Sequence, residues 1–380
     1  MGVAVGIAIL TLLPACAGEN GGSDEAVRKG GDDRTGEYMP AVDFWKAHPE
    51  AADGYSYAQI SGVAADTPDR IIVGIRGDLT PEGEERPNSS NYLVVVNGSG
   101  DVIERWTQWD TVVGFPHHIY ISPYDPERHI WVVDRGGTMR TVHEQILKFT
   151  NDGSELVMRL QDPSPTQVQG GPVARDNPNP GPLDFGQQST LAFLPNGHFL
   201  VGDGYQNGRV MRFDAEGEFV SEFGSVGSGP GQFDLVHGVA VDRDRRIYVV
   251  DRRNSRVQVF TEDGEYIEEW PDITYPSGIY IDENDGVWLW SGALNRILKY
   301  DTNGVLQYHF ATYGGTDRGL PTSDFVGSLA RPHQMNVDQE GNVYVASYAG
   351  PWVNKFMPKP GADPNKLIGQ PLTIEPAAEE

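Results

Sequence analysis

Basic residues are scarce in this sequence: 29 Lys and Arg stand against 54 Asp and Glu, which gives a formal net charge of −25. Nucleic-acid binding needs a basic surface that neutralises phosphates, so this charge balance argues against a nucleic-acid partner. Long apolar runs are also lacking near the N-terminus. The run at residues 3–13 is shorter than the roughly 20 apolar residues that a membrane-spanning helix needs. We therefore expect a soluble, extracytoplasmic protein.

Cysteine is almost absent too, and the single residue of this type, Cys16, closely follows that apolar run. Residues 13–16 read LPAC, which resembles a bacterial lipobox, where the cysteine is lipidated and becomes the mature N-terminus. A lone cysteine in this position favours lipidation over a disulfide or a reactive thiol. We expect a signal peptide at 1–15 and a lipidated, flexible linker at 16–50. The alternative is an ordinary cleaved signal peptide.

These features predict the location of the protein. We expect an exported lipoprotein on the outer side of the cytoplasmic membrane or in the periplasm, in contact with the membrane only through its lipid anchor. We expect the protein to be a monomer.

The sequence does contain a repeat of roughly forty residues, most clearly FDLVHGVAVDRDRRIYVVDRRNSRVQVF at residues 233–260. Each copy reads as short, β-branched strands bounded by turn residues. Repeats of this length with about four strands each are typical of a β-propeller. Six copies predict an all-β, six-bladed propeller over 51–360 and a C-terminal tail at 361–380. The innermost strands begin at Ser61, His117, Ser189, His237, Ser277 and His333.

The sequence leaves two parts of the predicted propeller undecided. The sixth blade lacks an obvious fourth strand, which either the N-terminal region or residues 367–374 must supply. The segment at 161–187 is rich in Pro, Gly, Asn and Gln and has no periodicity. A loop of this length is usually functional or disordered, and it could lie over one face of the propeller.

Serine and histidine alternate at the start of the innermost strands. In a closed ring of six blades, alternate blades lie about 120° apart, so His117, His237 and His333 would point at the axis from one level. A single histidine at a strand start is more often a hydrogen-bonded structural residue. Three at the same repeat position indicate a metal site, because three imidazoles with an open fourth position form catalytic zinc sites.

The loop after the second strand of each blade should lie on the same rim as these histidines, because the first two strands are antiparallel. Arginine there could bind a carboxylate, or it could pair with a neighbouring aspartate. A tyrosine near a cation could serve as a base, or it could simply pack on the rim. The side chains at this position are Arg76, Asp134, Arg135, Asp203, Tyr205, Asp251, Arg252 and Tyr348.

Several short motifs together resemble the peptidyl-α-hydroxyglycine α-amidating lyases, which are six-bladed NHL propellers with zinc held by three histidines. The resemblance extends over residues 63–356. The matching segments are Pro-His at 116–117, Val-His at 236–237, Pro-His at 332–333, DGYQNGR at 203–209, DRRNSR at 251–256 and RGD at 76–78. It implies that His117, His237 and His333 bind zinc, that Tyr205 is catalytic, and that Arg252 and Arg76 are active-site arginines.

The resemblance also implies a structural calcium near the axis. In the family it is bound by two backbone carbonyls, which match Val63 and Ile119, and by an aspartate. This sequence has Gln334 at the aspartate position.

We therefore predict a zinc-dependent lyase that cleaves the C–N bond of an N-acyl or peptidyl α-hydroxyglycine to an amide and glyoxylate. Its partner would be a small molecule or peptide with a carboxylate. One alternative is a non-catalytic, surface-tethered NHL propeller that acts as a binding platform. Another is a calcium-dependent hydrolase of the gluconolactonase type, but calcium prefers oxygen ligands and the Ser/His alternation argues against it.

Overall fold

A computed structural model describes residues 35–41, 44–45, 56–57, 59–76, 78–79, 91–136, 144–161, 180–311, 331–348 and 352–376. These residues form six four-stranded antiparallel sheets that are the blades of a propeller, and within these ranges no α-helix occurs. The predicted all-β, six-bladed architecture is confirmed. In the described part of the chain no helix has the length and apolar character needed to cross a bilayer.

Each blade is a meander whose first strand contacts the first strands of the neighbouring blades. In chain order, the strands of blades 1 and 2 are Ile60–Thr67, Arg70–Ile75, Leu93–Val96 and Val102–Arg105, then Pro116–Ile121, Ile130–Asp134, Gln145–Phe149 and Leu156–Gln161. Those of blades 3 and 4 are Thr190–Phe193, Phe199–Asp203, Arg209–Phe213 and Phe219–Phe223, then Val236–Val241, Ile247–Asp251, Arg256–Phe260 and Tyr266–Trp270. Blade 5 has Pro276–Ile281, Val287–Ser291, Arg296–Tyr300 and Leu306–Ala311, and blade 6 has Pro332–Val337, Val343–Ser347 and Val353–Pro358, with Tyr38–Pro40 as its fourth strand.

In the described ranges, two strand pairs and two 3₁₀ turns lie outside the blades. The strand pairs are Ser56–Tyr57 with Asp78–Leu79 and Ser225–Val226 with Gln232–Phe233. The 3₁₀ turns are Thr107–Trp109 and Pro364–Lys366.

The N-terminal strand Tyr38–Pro40 closes the ring by pairing antiparallel with the last strand, Val353–Pro358. The side chain of Tyr38 is fully buried against Phe310, with ring centroids 5.0 Å apart. Its hydroxyl accepts a hydrogen bond of 2.7 Å from the Ile368 N–H. The N-terminal region is thus the segment that completes blade 6, and the linker prediction for 16–50 is wrong at this strand.

Residues 367–374 do not supply the fourth strand of blade 6. They lie against the rim of the propeller opposite to the one that carries the histidines. They contact the ends of innermost strands in blades 5, 6 and 2. The Leu372 N–H donates to the Ile281 carbonyl, the Gln370 side chain to the Asp338 carbonyl, and the Ile374 N–H to the Tyr124 hydroxyl. The predicted C-terminal tail therefore packs against the propeller in this part.

The apolar core consists of six clusters, each of which lies between two neighbouring blades. The reason is the strand pattern, since β-branched residues on both faces of a blade must be buried against the blades beside it. The cluster between blades 5 and 6 includes Tyr38 and Ile368. Both chain ends therefore take part in the interface where the ring closes.

Candidate metal centre and its rim

Each of the three axial histidines lies in a β-bulge at the start of an innermost strand. The pairing register shifts between residues 116 and 118, 236 and 238, and 332 and 334. A bulge inserts an extra residue and redirects its side chain. Here the extra residues are His117, His237 and His333, which are at most 4% exposed. Their ring centroids lie 4.6 to 5.2 Å apart, so the structure brings the three predicted ligands together.

The serines of the alternate blades hold these imidazoles in place through their backbone carbonyls. The Nδ1 atom of each histidine lies 2.7 Å from a serine carbonyl oxygen of the next blade: Ser189 for His117, Ser277 for His237 and Ser61 for His333. A carbonyl can only accept, so Nδ1 carries the hydrogen and Nε2 keeps its lone pair. Carbonyl partners of this kind are usual for metal-binding histidines.

The hydroxyl groups of two of these serines make further contacts between neighbouring blades. Ser189 donates to the Val236 carbonyl at 2.7 Å, directly before His237. Ser61 donates to the Pro116 carbonyl, directly before His117. The alternation of serine and histidine in the sequence thus reflects contacts between neighbouring blades. The sequence analysis assigned a role only to the histidines, and the role of the serines came from the structure.

The electrostatic setting keeps the three imidazoles neutral. Burial first, and then neighbouring imidazoles and arginines, lowers the pKa of His117, His237 and His333 well below the ordinary value. Neutral imidazole is the form that binds a metal. One ring nitrogen of each histidine lies within 4.8 Å of those of the other two, and three imidazole nitrogens with an open fourth position are a donor set found in zinc sites. The donor set therefore fits a zinc ion.

Tyr205 lies directly beside this centre. Its hydroxyl oxygen is 3.0 Å from Nε2 of His117 and 3.1 Å from Nε2 of His237, and Nη2 of Arg252 donates to it at 3.4 Å. Burial alone would raise the pKa of Tyr205. Its positively charged neighbours Arg252, Arg135 and Arg76 outweigh burial and lower that pKa. A tyrosine in this position can take up and return a proton at the metal centre.

Arg76 and Arg252 lie on the same rim and are buried. Nη1 of Arg76 donates to the Gln59 side chain at 2.7 Å, and its guanidinium lies 4.6 Å from the ring centroid of Tyr348. Burial, followed by the charge of Arg135, lowers the pKa of Arg76 to about 10. Arg76 therefore stays charged at neutral pH.

Among the described residues, no salt bridge joins these arginines to the aspartates at the ends of the second strands. Those aspartates have other partners. Asp134 accepts from the peptide N–H groups of Gly114 and Phe115, Asp203 pairs with Arg209 at 3.0 Å, and Asp251 pairs with Arg256 at 2.9 Å. The guanidinium groups of Arg76 and Arg252 are thus available to bind an anion in the space above the histidines.

His118 is a buried residue of the site that sequence reasoning did not assign. Its ring lies 4.3 Å from that of His117, between the metal centre and the axial channel. Nε2 lies 3.2 Å from the His333 carbonyl oxygen and Nδ1 lies 3.1 Å from the Tyr120 hydroxyl. Burial, with Arg252 and Arg76 next, lowers the pKa of His118 to about 3. The doubled histidine at 117–118 was the only sequence signal for it.

Comparisons with known proteins agree with this architecture. The NHL repeat family matches residues 233–260. Human NHL repeat-containing protein 3 is 26% identical over 338 residues, which cover 86% of this chain and 86% of that protein. A probable peptidyl-alpha-hydroxyglycine alpha-amidating lyase of Caenorhabditis elegans, pgal-1, is 30% identical over 169 residues, 44% of this chain and 41% of that protein. The chain resembles the peptidyl-α-hydroxyglycine amidating lyases.

A solved structure of unknown function from Bacteroides thetaiotaomicron has the same fold. It matches 79% of this chain and 70% of its own with a TM-score of 0.51 at 14% identity. A likeness at this identity supports the fold alone.

The calcium site implied by the resemblance to the amidating lyases does not fit the residues present. The Gln334 side-chain oxygen accepts from the N–H groups of Val63 and Ile119, both at 2.9 Å. Its NH₂ group donates to the Ile119 carbonyl at 2.6 Å. This amide therefore already occupies the carbonyl that would face calcium, and it supplies a donor where calcium needs an oxygen ligand.

Three sequence predictions remain outside the described residues or only partly inside them. Cys16 and the signal peptide at 1–15 lie outside. Of the segment at 161–187, the structure describes only residue 161 and residues 180–187. The peptide N–H of Tyr205 donates to the Gln187 carbonyl at 3.3 Å, which brings the end of this segment to the rim that carries the metal centre.

Proposed function

We propose that this protein is a zinc-dependent lyase that cleaves N-acyl α-hydroxyglycines to an amide and glyoxylate. The observation that supports it most directly is the convergence on the Tyr205 hydroxyl of two Nε2 atoms, from His117 and His237, and of the Arg252 guanidinium. Distant relatives named for amidating lyase activity agree with it. The metal identity and the substrate are part of the proposal.

The residues would divide the work as follows. A zinc ion held by the three histidines would polarise the substrate oxygens and make the hydroxyl more acidic. Arg252 and Arg76 would bind the carboxylate through their guanidinium groups. Tyr205 would remove the proton of the α-hydroxyl group, because its own pKa is lowered by three nearby arginines.

The bond changes balance without water or an oxidant. As the hydroxyl loses its proton, the C–O bond becomes the carbonyl of glyoxylate and the C–N bond breaks, with its electron pair going to nitrogen. The proton held by Tyr205 then passes to that nitrogen and completes the amide. This overall cycle returns Tyr205 to its starting state.

The test is turnover of α-hydroxyhippurate by purified, zinc-loaded protein. We expect benzamide and glyoxylate in equal amounts, and loss of activity after zinc removal by a chelator with recovery when zinc is returned. Zinc-loaded protein that releases no glyoxylate above the uncatalysed rate would contradict the proposal.

A non-catalytic binding platform is the second candidate. It is favoured by the similarity to NHL repeat-containing protein 3, which extends over 86% of this chain and whose name states no activity. In that case the metal would be structural. Stoichiometric zinc without turnover, together with a lower melting temperature after its removal, would be the expected result.

We also propose that the protein is exported and tethered through a lipid on Cys16, as a monomer. The lone cysteine after the apolar run supports this. In a bacterial host, Cys16→Ala should move the protein from the membrane fraction to the soluble fraction. Unchanged fractionation would leave a plain signal peptide as the explanation.

A further inference from the structure

The cavity above the metal centre has an unusual charge for this protein. It has a volume of about 160 Å³, and Arg135, Arg252 and Arg331 line it together with Tyr205, Tyr348 and His333. No acidic residue is among its lining residues in the described part of the chain, although the whole sequence carries a net charge of −25. Positive charge is thus concentrated where a ligand would bind.

Several N–H groups of these arginines have no hydrogen-bond partner. Among the cavity arginines, the unpaired buried atoms are Nε of Arg135 and Nε of Arg252. Nε and Nη2 of Arg76 are also unpaired and buried, and the Arg76 guanidinium contacts the ring of Tyr348, which lines the cavity. An unsatisfied buried donor is costly, and more so on a charged group. The ligand of this cavity is therefore expected to provide acceptor oxygens.

Arg135 contacts two aromatic rings that the two arginines already given a role also contact, Arg76 on Phe115 and Arg252 on Tyr205. Its guanidinium lies 4.7 Å from the ring centroid of Phe115 and 4.5 Å from that of Tyr205. Stacking between two rings fixes the plane of a guanidinium and leaves its edge free to bind an anion. Arg331 is exposed at the mouth of the same cavity.

Glu144 is an acidic residue whose charge interacts with that of Arg135. Glu144 accepts a hydrogen bond of 2.6 Å from the Gln187 N–H. Burial raises the pKa of Glu144 to about 8, so this carboxyl group is protonated at neutral pH. One substrate carboxylate bound by Arg76 and Arg252 would therefore still leave Arg135 and Arg331 without an anionic partner among the residues that the structure describes.

We propose that Arg135 and Arg331 form a second anion-binding subsite, so that the substrate class is a dianion. Such a substrate would be an α-hydroxyglycine whose acyl group carries a further carboxylate. The inference rests on the proposed function for its first carboxylate. It concerns binding, so it can be tested without turnover.

The experiment uses two unreactive ligands that differ only in one charge. N-succinylglycine carries two carboxylates, and its terminal amide, N-succinamoylglycine, carries one. Isothermal titration calorimetry on the zinc-loaded full chain should show at least about tenfold tighter binding of N-succinylglycine, as expected for one additional charge-assisted contact. Equal affinity of the two ligands for the wild type would overturn the proposal.

Variants then assign the difference to the subsite. Arg135→Gln should bring the affinity for N-succinylglycine close to that for the monoanion. The matched control is Arg253→Gln, which removes one charge from an exposed side chain paired with Asp234 and should keep the tenfold preference. A preference that survives Arg135→Gln would show that Arg135 does not form the subsite. Zinc content of each variant confirms that it is folded.

The same ligands separate this inference from the proposed function. If the dianion binds more tightly and Arg135→Gln removes the difference, the subsite is supported even when α-hydroxyhippurate is not turned over. If turnover occurs and the two ligands bind equally, the lyase function stands and the subsite is wrong.

Discussion

Replacement of Tyr205 by phenylalanine gives the sharpest test of the metal centre. The change removes one oxygen atom and keeps a ring that packs edge-on against His117 and His237, with centroid distances of 5.6 and 5.7 Å. The hydroxyl is within 3.4 Å of two imidazoles and one guanidinium. We therefore expect a large effect on turnover and a small one on the fold.

The two magnitudes can be estimated separately. A lost side-chain hydrogen bond typically costs about 1 kcal/mol of folding free energy, which in a domain of this size lowers the melting temperature by roughly 1–2 °C. General base catalysis contributes on the order of 10²–10⁴-fold in rate. Zinc content should stay the same, because all three histidines and their carbonyl partners remain.

The assay is glyoxylate release from α-hydroxyhippurate, with zinc content and melting temperature measured on the same preparations. Tyr348→Phe is the matched control, since Tyr348 lies on the same rim and stacks on His333 with centroids 5.5 Å apart. The control should keep most of its activity. Near-wild-type turnover in Tyr205→Phe would refute the assignment, and a large loss in Tyr348→Phe instead would make Tyr348 the base.

Three further predictions concern the metal, the ring closure and the electrostatics of the rim. Changing all three axial histidines to alanine should abolish the binding of about one zinc per chain. The control His129→Ala, which alters the other group of potential metal ligands in the described residues, should keep that zinc. Zinc retained by the triple variant would refute the site. Tyr38→Ala should lower the free energy of unfolding by about 3–5 kcal/mol, as for other large buried aromatic residues, which chemical denaturation can measure; a loss below about 1 kcal/mol would contradict a stabilising role of the closing strand. Glu144→Gln should stabilise the protein at pH 8 by up to about 4 kcal/mol but not at pH 4. A carboxyl group whose pKa rises from 4.5 to about 8 on folding costs no folding free energy below pH 4.5 and progressively more as the pH rises toward 8. Equal shifts in melting temperature at both pH values would rule out titration of Glu144 as the cause.

The sequence was sufficient to predict the parts of this protein that repeat. Six similar segments predicted six blades, and the residue type at one repeat position predicted His117, His237 and His333. The six blades are confirmed, and the three histidines lie together in the structure because a propeller places equivalent positions at equivalent distances from one axis. Their role as metal ligands stays a prediction. The catalytic candidates Tyr205, Arg252 and Arg76 required the resemblance to a family as well, and the structure places them together on the predicted rim.

The unpredicted features are contacts between segments that have no common pattern. The strand Tyr38–Pro40 has three residues, which is too short for a periodicity, and its partner lies at the other end of the chain. The network of Gln334 joins three blades through backbone groups that no side-chain pattern reveals. The stacking of Arg135 between Phe115 and Tyr205 likewise depends on how neighbouring blades meet at the rim.

The closing strand also determines where force would act on this molecule. Residues 38–40 pair with residues 356–358, so the ring closes at a seam between an N-terminal and a C-terminal strand. A pull on the N-terminus, such as a tether would exert, reaches this seam before it reaches any other blade. Its mechanical strength depends on a few backbone hydrogen bonds and on the anchoring of Tyr38, so the seam is where the propeller would open first. The same strand is synthesised before the other strands of all six blades and can pair only after the last of them has been made, which makes closure a late, long-range step of folding.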